Sequence, residues 1–215
     1  MRLLKMIWCL ILVMGVCVFG QHPYETIWSK LVSDHTIIKK SKSISYVYVD
    51  YDSMVKSQNF SLLLRVCKRL PIDSMTKSEK IAFLINYYNI KMVETVFLDR
   101  SMDNPFFNET RDSLRSLDER SLFGLTSDTI YSPNLIAFFS STIFEQLDVH
   151  IKNTLPKFVR YDRSVNILYV EKWVDRQPFS TTFKGSLFEK LAKDYDKLPS
   201  YHYSDFGNTS NSIKK

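Results

Sequence analysis

The segment from Thr76 to Leu98 limits what this chain can fold into more than any other. It opens on Thr76-Lys77-Ser78-Glu79, the spacing of a capping box, in which a hydroxyl and a carboxylate each satisfy a backbone N–H that the start of a helix leaves without a partner. Behind the cap, Ile81, Leu84, Ile85, Tyr88, Met92 and Val96 recur on one broad face, wide enough that the rest of the domain must pack around it. At about 100° per residue, Ala82, Asn86, Asn89 and Val93 fall into a stripe on the flank of that face. Two carboxamides beside an apolar seam have two readings. They hydrogen-bond loop backbone across the core and so fix how other segments dock on the helix, or they stand in a cleft as polarising donors to a substrate, which an amide does without any adjustment of pKa.

The flanking pattern predicts more helix and a little sheet. Tyr24, Ile27, Trp28 and Leu31 recur at helical spacing, giving an opening helix over Tyr24 to Val32 with Trp28 as its anchor. Ile44 to Asp50, rich in β-branched and aromatic residues, reads as a short strand or an extended loop. A helix is expected over Phe60 to Arg69, stopped by Pro71. Ser132-Pro133 has the form of an N-cap and first-turn proline, with Ile136, Phe139, Ile143, Phe144 and Leu147 following at three- and four-residue steps. Phe158 to Tyr161 and Ser164 to Trp173 read as strands about a turn at Asp162-Arg163. Ser186-Leu187-Phe188-Glu189 is a second capping box, opening a closing helix, and the Ser-, Asn- and Lys-rich residues 200–215 are expected to fray as a flexible tail. The sum is an α+β fold: a helix-rich single domain over residues 21–199, built around a central helix at about 76–98 with a small antiparallel sheet.

The first residues bear on location. Arg2 and Lys5 precede an apolar run from Met6 to Phe19 that ends on Gly20, the form of a secretory signal peptide over residues 1–20. An uncleaved anchor is the alternative, and a lipid-modified Cys17 is disfavoured by Val16 in front of it. Apart from that run no long apolar stretch occurs, so no membrane span is expected after cleavage. The leader takes two of the 29 basic residues and no acidic one, leaving 27 against 23, a mild net charge of +4. The densest cationic cluster, Lys39, Lys40 and Lys42, reads as a solvated loop or as a contact for anionic glycans or lipid heads. No basic motif is interleaved with stacking aromatics, which argues against a nucleic-acid partner. Asn59, Asn108 and Asn208 each open an Asn-x-Ser/Thr triplet and are glycosylation candidates in a secreted chain. Of three cysteines only Cys67 lies beyond the leader, in an apolar run where it packs as a small hydrophobe, with an intermolecular disulfide as the alternative. Glu94, Asp99, Asp118 and Glu119 show no ligand spacing with histidine and read as solvated charge, so no metal or cofactor is expected.

The run Lys80-Ile81-Ala82-Phe83-Leu84-Ile85-Asn86-Tyr87-Tyr88-Asn89 resembles the signature of the domain of unknown function 547 family, Leu-Ala-Phe-Trp-Ile-Asn-x-Tyr-Asn-Ala. Val49-Asp50-Tyr51 resembles that family's Val-Asp-Tyr upstream, and Lys172-Trp173-Val174 with Phe179 its late Lys-Trp-Tyr and Asp-Phe element, so the resemblance spans most of residues 25–195. It implies a similarity to papain-like or transglutaminase-like folds. The middle of the family pattern, Arg-Ile-His-Phe-Ala-Leu-Val-Cys-Gly through Ser-Cys-Pro, aligns with Arg120 to Asp128 and Tyr131-Ser132-Pro133. There Leu122 replaces the histidine, and Ser127 and Ser132 replace the cysteines.

The exchange matters chemically. A cysteine at a helix start gains a stabilised thiolate, whereas a serine needs a neighbouring base, and no histidine stands next to Ser132 in sequence. Ser132 therefore reads as an N-cap, Trp173 as a core or rim aromatic, and the chain as a secreted, non-catalytic binding or structural domain with a degenerate active-site-like region. Its expected ligand is a protein or an anionic glycan. The alternative is a hydrolase or acyl-transferase using Ser132, a histidine brought from elsewhere, and Asn86 and Asn89 as polarising donors.

Overall fold

The computed structural model describes residues 22–41, 44–127, 132–162, 164–171, 174, 179–180 and 200–204. In chain order these form α1 (Pro23–His35), the hairpin of β1 (Thr36–Ser41) and β2 (Ile44–Val49), α2 (Tyr51–Lys56), α3 (Gln58–Cys67), α4 (Lys77–Phe97), α5 (Pro105–Leu117), α6 (Ile143–Phe158), and the strands β3 (Val159–Asp162), β4 (Ile167–Glu171) and β5 (Ser200–Ser204). Short 3-10 turns stand at Ile72–Ser74, Glu119–Gly124 and Ser140–Thr142. The result is a mostly helical α+β domain.

The central helix is α4, and the capping box forms as its spacing requires. Glu79 N–H donates to Thr76 Oγ1 at 3.3 Å while Thr76 N–H donates to Glu79 Oε2 at 2.8 Å. These bonds hold the Glu79 carboxyl below its ordinary pKa, and His22 Nε2 lies 3.2 Å from its other oxygen, pinning the start of α1 to the start of α4. Ile81, Ile85, Tyr88 and Met92 are buried as expected, and so is the whole flank stripe of Ala82, Asn86, Asn89 and Val93. Trp28 is fully buried on α1, and Tyr24 meets Phe83 edge-on with ring centroids 5.4 Å apart. Cys67 packs in the core, where burial pushes its thiol pKa up to about 12.

Several expectations are corrected. Ser132 caps no helix: residues 133–139 carry no regular structure, and α6 begins at Ile143 after the 3-10 turn. The helical spacing of Ile136 and Phe139 is overridden because the backbone of this stretch is claimed by side chains. Phe138 N–H donates to Asn86 and its carbonyl accepts from the same amide, while Phe139 N–H donates to Gln146 Oε1 at 2.7 Å. The expected loop at Lys39 and Lys40 is strand β1, which β-branched Thr36, Ile37 and Ile38 favour. Residues 105–117, with no element assigned from sequence, form α5 behind Asn104 and a first-turn Pro105. β3 pairs antiparallel with β4 as expected, but β5 joins the other edge of β4 in parallel, with Leu168 opposite Tyr201 and Val170 opposite Tyr203. This sheet is mixed, and Ser200–Ser204 belongs to the fold rather than to a fraying tail. The signal segment, the Ser186 capping box, Trp173, Lys42 and Asn208 lie outside the described residues.

Candidate functional site

Asn86 and Asn89 sit one helical turn apart on α4, both fully buried, and each bonds main chain from a distant segment. Asn86 Nδ2 donates to the Phe138 carbonyl at 2.7 Å, and its Oδ1 accepts from Phe138 N–H at 3.0 Å. Asn89 Nδ2 donates to the Gly124 carbonyl at 2.8 Å, and its Oδ1 accepts from Thr126 N–H at 3.0 Å. A carboxamide has the donor and acceptor geometry of a peptide group, so each asparagine stands in for the strand partner these irregular segments lack. Close approach is built into the arrangement: a Cβ on Gly124 would lie 2.8 Å from Ile85 Cγ2 and 3.2 Å from the Phe138 ring. Gln146 repeats the device from α6, accepting from Phe139 N–H and donating to the Ala137 carbonyl at 3.4 Å.

Beyond this clamp lies a small polar cluster. Ser132 is 2% exposed, and its Oγ is 3.1 Å from the Ser127 carbonyl, 3.3 Å from the Pro133 carbonyl and 3.2 Å from Thr126 Oγ1. Thr126 Oγ1 donates to the Pro133 carbonyl at 2.7 Å, so the Ser127 carbonyl is the shortest acceptor left for the serine proton. Lys157, on the last turn of α6 and 3% exposed, donates to the Ser132 main-chain carbonyl at 3.4 Å and to Asn134 Oδ1. Burial brings its pKa down to about 8.

Among the described residues, none of the hydrogen bonds of the Ser132 hydroxyl goes to an imidazole. His22 faces Glu79, and His150 is buried against Phe138 with its ring edge-on at 5.5 Å. The His150 Nε2 has no hydrogen-bond partner, and the ring is bonded to Phe123 main chain. Burial, reinforced by the positive charge of Lys157, lowers the His150 pKa to about 4, so at neutral pH the ring is uncharged. On the outer side of this region a groove of about 450 Å³ runs between residues 134–136 and α6, lined by Asn134, Ile136, Gln146, Val149, His150 and Asn153. Two apolar side chains and several amides suit a neutral, hydrogen-bonding ligand better than an anion.

Sequence reasoning placed Asn86, Asn89 and Ser132 in one neighbourhood and missed Lys157, Gln146 and Glu25. Lys157 had a legible signal: it continues the buried α6 series Ile143, Leu147, His150 and Thr154 at three- and four-residue steps. Glu25, fully buried on α1, accepts from Ser140 N–H at 2.9 Å and so ties the opening helix to the approach of α6. Asp118 and Glu119 are structural rather than merely solvated, since Asp118 pairs with Arg120 at 2.7 Å and Glu119 accepts from Ser180 N–H. The described residues hold no cluster of three or more metal-ligating side chains and no helix long and apolar enough to cross a membrane. No family model, no curated protein and no solved structure matches this chain.

Proposed function

We propose that this chain is a secreted, divergent relative of the 547 family that acts as a binding or structural domain rather than by turnover. The observation that carries this reading is the setting of Ser132: a buried hydroxyl lying among main-chain carbonyls and a second hydroxyl. A proton held by a carbonyl is not handed to a base, and without that transfer serine is a poor nucleophile at neutral pH. Asn86 and Asn89, the donors a hydrolase would use, are committed to Phe138, Gly124 and Thr126. The groove beside Asn134 is the binding surface in this reading, with a protein segment or a glycan as its ligand. Asn59 on α3 and Asn108 on α5 are both exposed, which suits the glycan attachment proposed for them. The resemblance to papain-like or transglutaminase-like folds rests on the Lys80-to-Asn89 run and its two buried amides.

A hydrolase or acyl-transferase acting through Ser132 draws support from one observation, the lowered pKa of Lys157 beside the serine main chain. A fluorophosphonate probe separates the two readings. Intact-mass analysis is expected to find no adduct on the native protein from neutral pH up to about pH 9, above the Lys157 pKa of about 8. An adduct that disappears in both Ser132→Ala and Lys157→Met would establish a serine–lysine pair and end the non-catalytic reading.

A further inference from the structure

We infer that the β1–β2 hairpin is a docking surface for an anionic phospholipid bilayer. From His35 to Val49 the chain carries Lys39, Lys40 and Lys42 and no acidic residue. The strands pair in register from Thr36 opposite Val49 to Ser41 opposite Ile44, and the hairpin is rooted by Val47 and Val49, which are buried. Above that root the apolar surface is turned out to solvent. Ile37 is 52% exposed and Ile38 68% exposed.

Successive strand residues point to opposite faces, so these two isoleucines leave both faces of the hairpin wetted where it stands away from the helices. Exposed isoleucine in water has no stabilising role within the fold, and two in sequence beside a lysine cluster need an occupant that is both apolar and anionic. A sulfated glycan would engage the lysines and leave Ile37 and Ile38 in water. An anionic bilayer accounts for both, since the isoleucines enter the acyl boundary while the ammonium groups stay among the phosphate and carboxylate heads. Lys39 already shows the required posture. Its ammonium lies 4.6 Å from the centre of the Tyr48 ring, with the alkyl stem along the strand surface and the charge at the outer edge. Tyrosine beside such a lysine is typical of the level at which chains meet lipid headgroups.

The test is partitioning of the full chain onto phosphatidylcholine vesicles with and without phosphatidylserine, read as the ratio between the two so that any uncharged contribution from the apolar residues 6–19 cancels. The expected result is a phosphatidylserine-dependent ratio that falls with added salt, drops about fivefold for each of Lys39→Ala and Lys40→Ala, and drops at least about tenfold in Ile37→Ser/Ile38→Ser. Unchanged melting temperatures in these surface variants confirm that the fold is intact. Equal binding to the two vesicle types, or a ratio insensitive to the isoleucine changes, overturns the inference. Retention on heparin without vesicle binding, lost only in the lysine variants, would assign the hairpin to a glycan instead.

Discussion

Replacing Asn89 with alanine is expected to cost about 2–4 kcal/mol, because it strands the Gly124 carbonyl and the Thr126 N–H without partners in the core. Asn86→Ala should cost a similar amount through Phe138, whose N–H and carbonyl both depend on it. Against a total stability of about 5–15 kcal/mol for a domain of this kind, the double variant approaches complete unfolding. The two losses are not independent, since Gly124 lies against the Phe138 ring. Urea titration measures each. Asn89→Asp separates hydrogen bonding from packing: the shape is kept, but an oxygen faces the Gly124 carbonyl where an N–H stood. If the hydrogen bonds carry the stability, the aspartate variant is as damaged as the alanine one. If it unfolds at the native urea concentration, the clamp contributes nothing.

The second large effect is acid lability through His150. Its pKa falls from 6.5 to about 4 on folding, so between those values the unfolded chain binds a proton that the folded chain refuses. Stability from this group is fully present above pH 6.5 and is lost as pH drops through about 4, a loss of about 3 kcal/mol. Burial supports the full conversion, since the residue is 5% exposed. His150→Leu should flatten the stability profile across this window while leaving the carboxylate-driven loss at lower pH, where Glu79, Asp118 and Asp162 protonate. The acid side is the informative one. On the alkaline side Lys157 favours the folded state as pH rises above about 8, and Cys67 opposes it above 9. A native protein with constant stability from pH 6.5 to 4 would show that the ring reaches solvent when charged.

The helices of this chain were legible where local chemistry and tertiary packing agree. The Thr76 capping box and the apolar face behind it define α4 from sequence alone, and Trp28 and Cys67 lie in the core as their surroundings predict. The reading failed where a distant side chain took over the backbone. Residues 132–139 have helical spacing, yet Asn86 from α4 and Gln146 from α6 hold their peptide groups in an extended path, and no local pattern carries that information. β5 escaped for the converse reason: its partner is β4, and a polar setting among Ser, Asn and Lys outweighed the strand tendency of Tyr201 and Tyr203. Of the candidate site, the amide stripe was visible as a stripe, but which backbone it bonds was not. Lys157 was hidden because a cation on an apolar face reads as a solvated helix end until the fold closes over it.

The account turns on Asn86 and Asn89 being bonded to main chain in a sealed interior. Hydrogen exchange at their side-chain Nδ2 groups, followed by nitrogen-15 correlation spectra, measures this directly. Protection of both amides that tracks global stability, weakening together with the core amides of α4 as urea is added, is the expected result. Exchange at the rate of a solvent-exposed asparagine, in a protein whose α4 amides remain protected, would place the two side chains in an open cleft and contradict it.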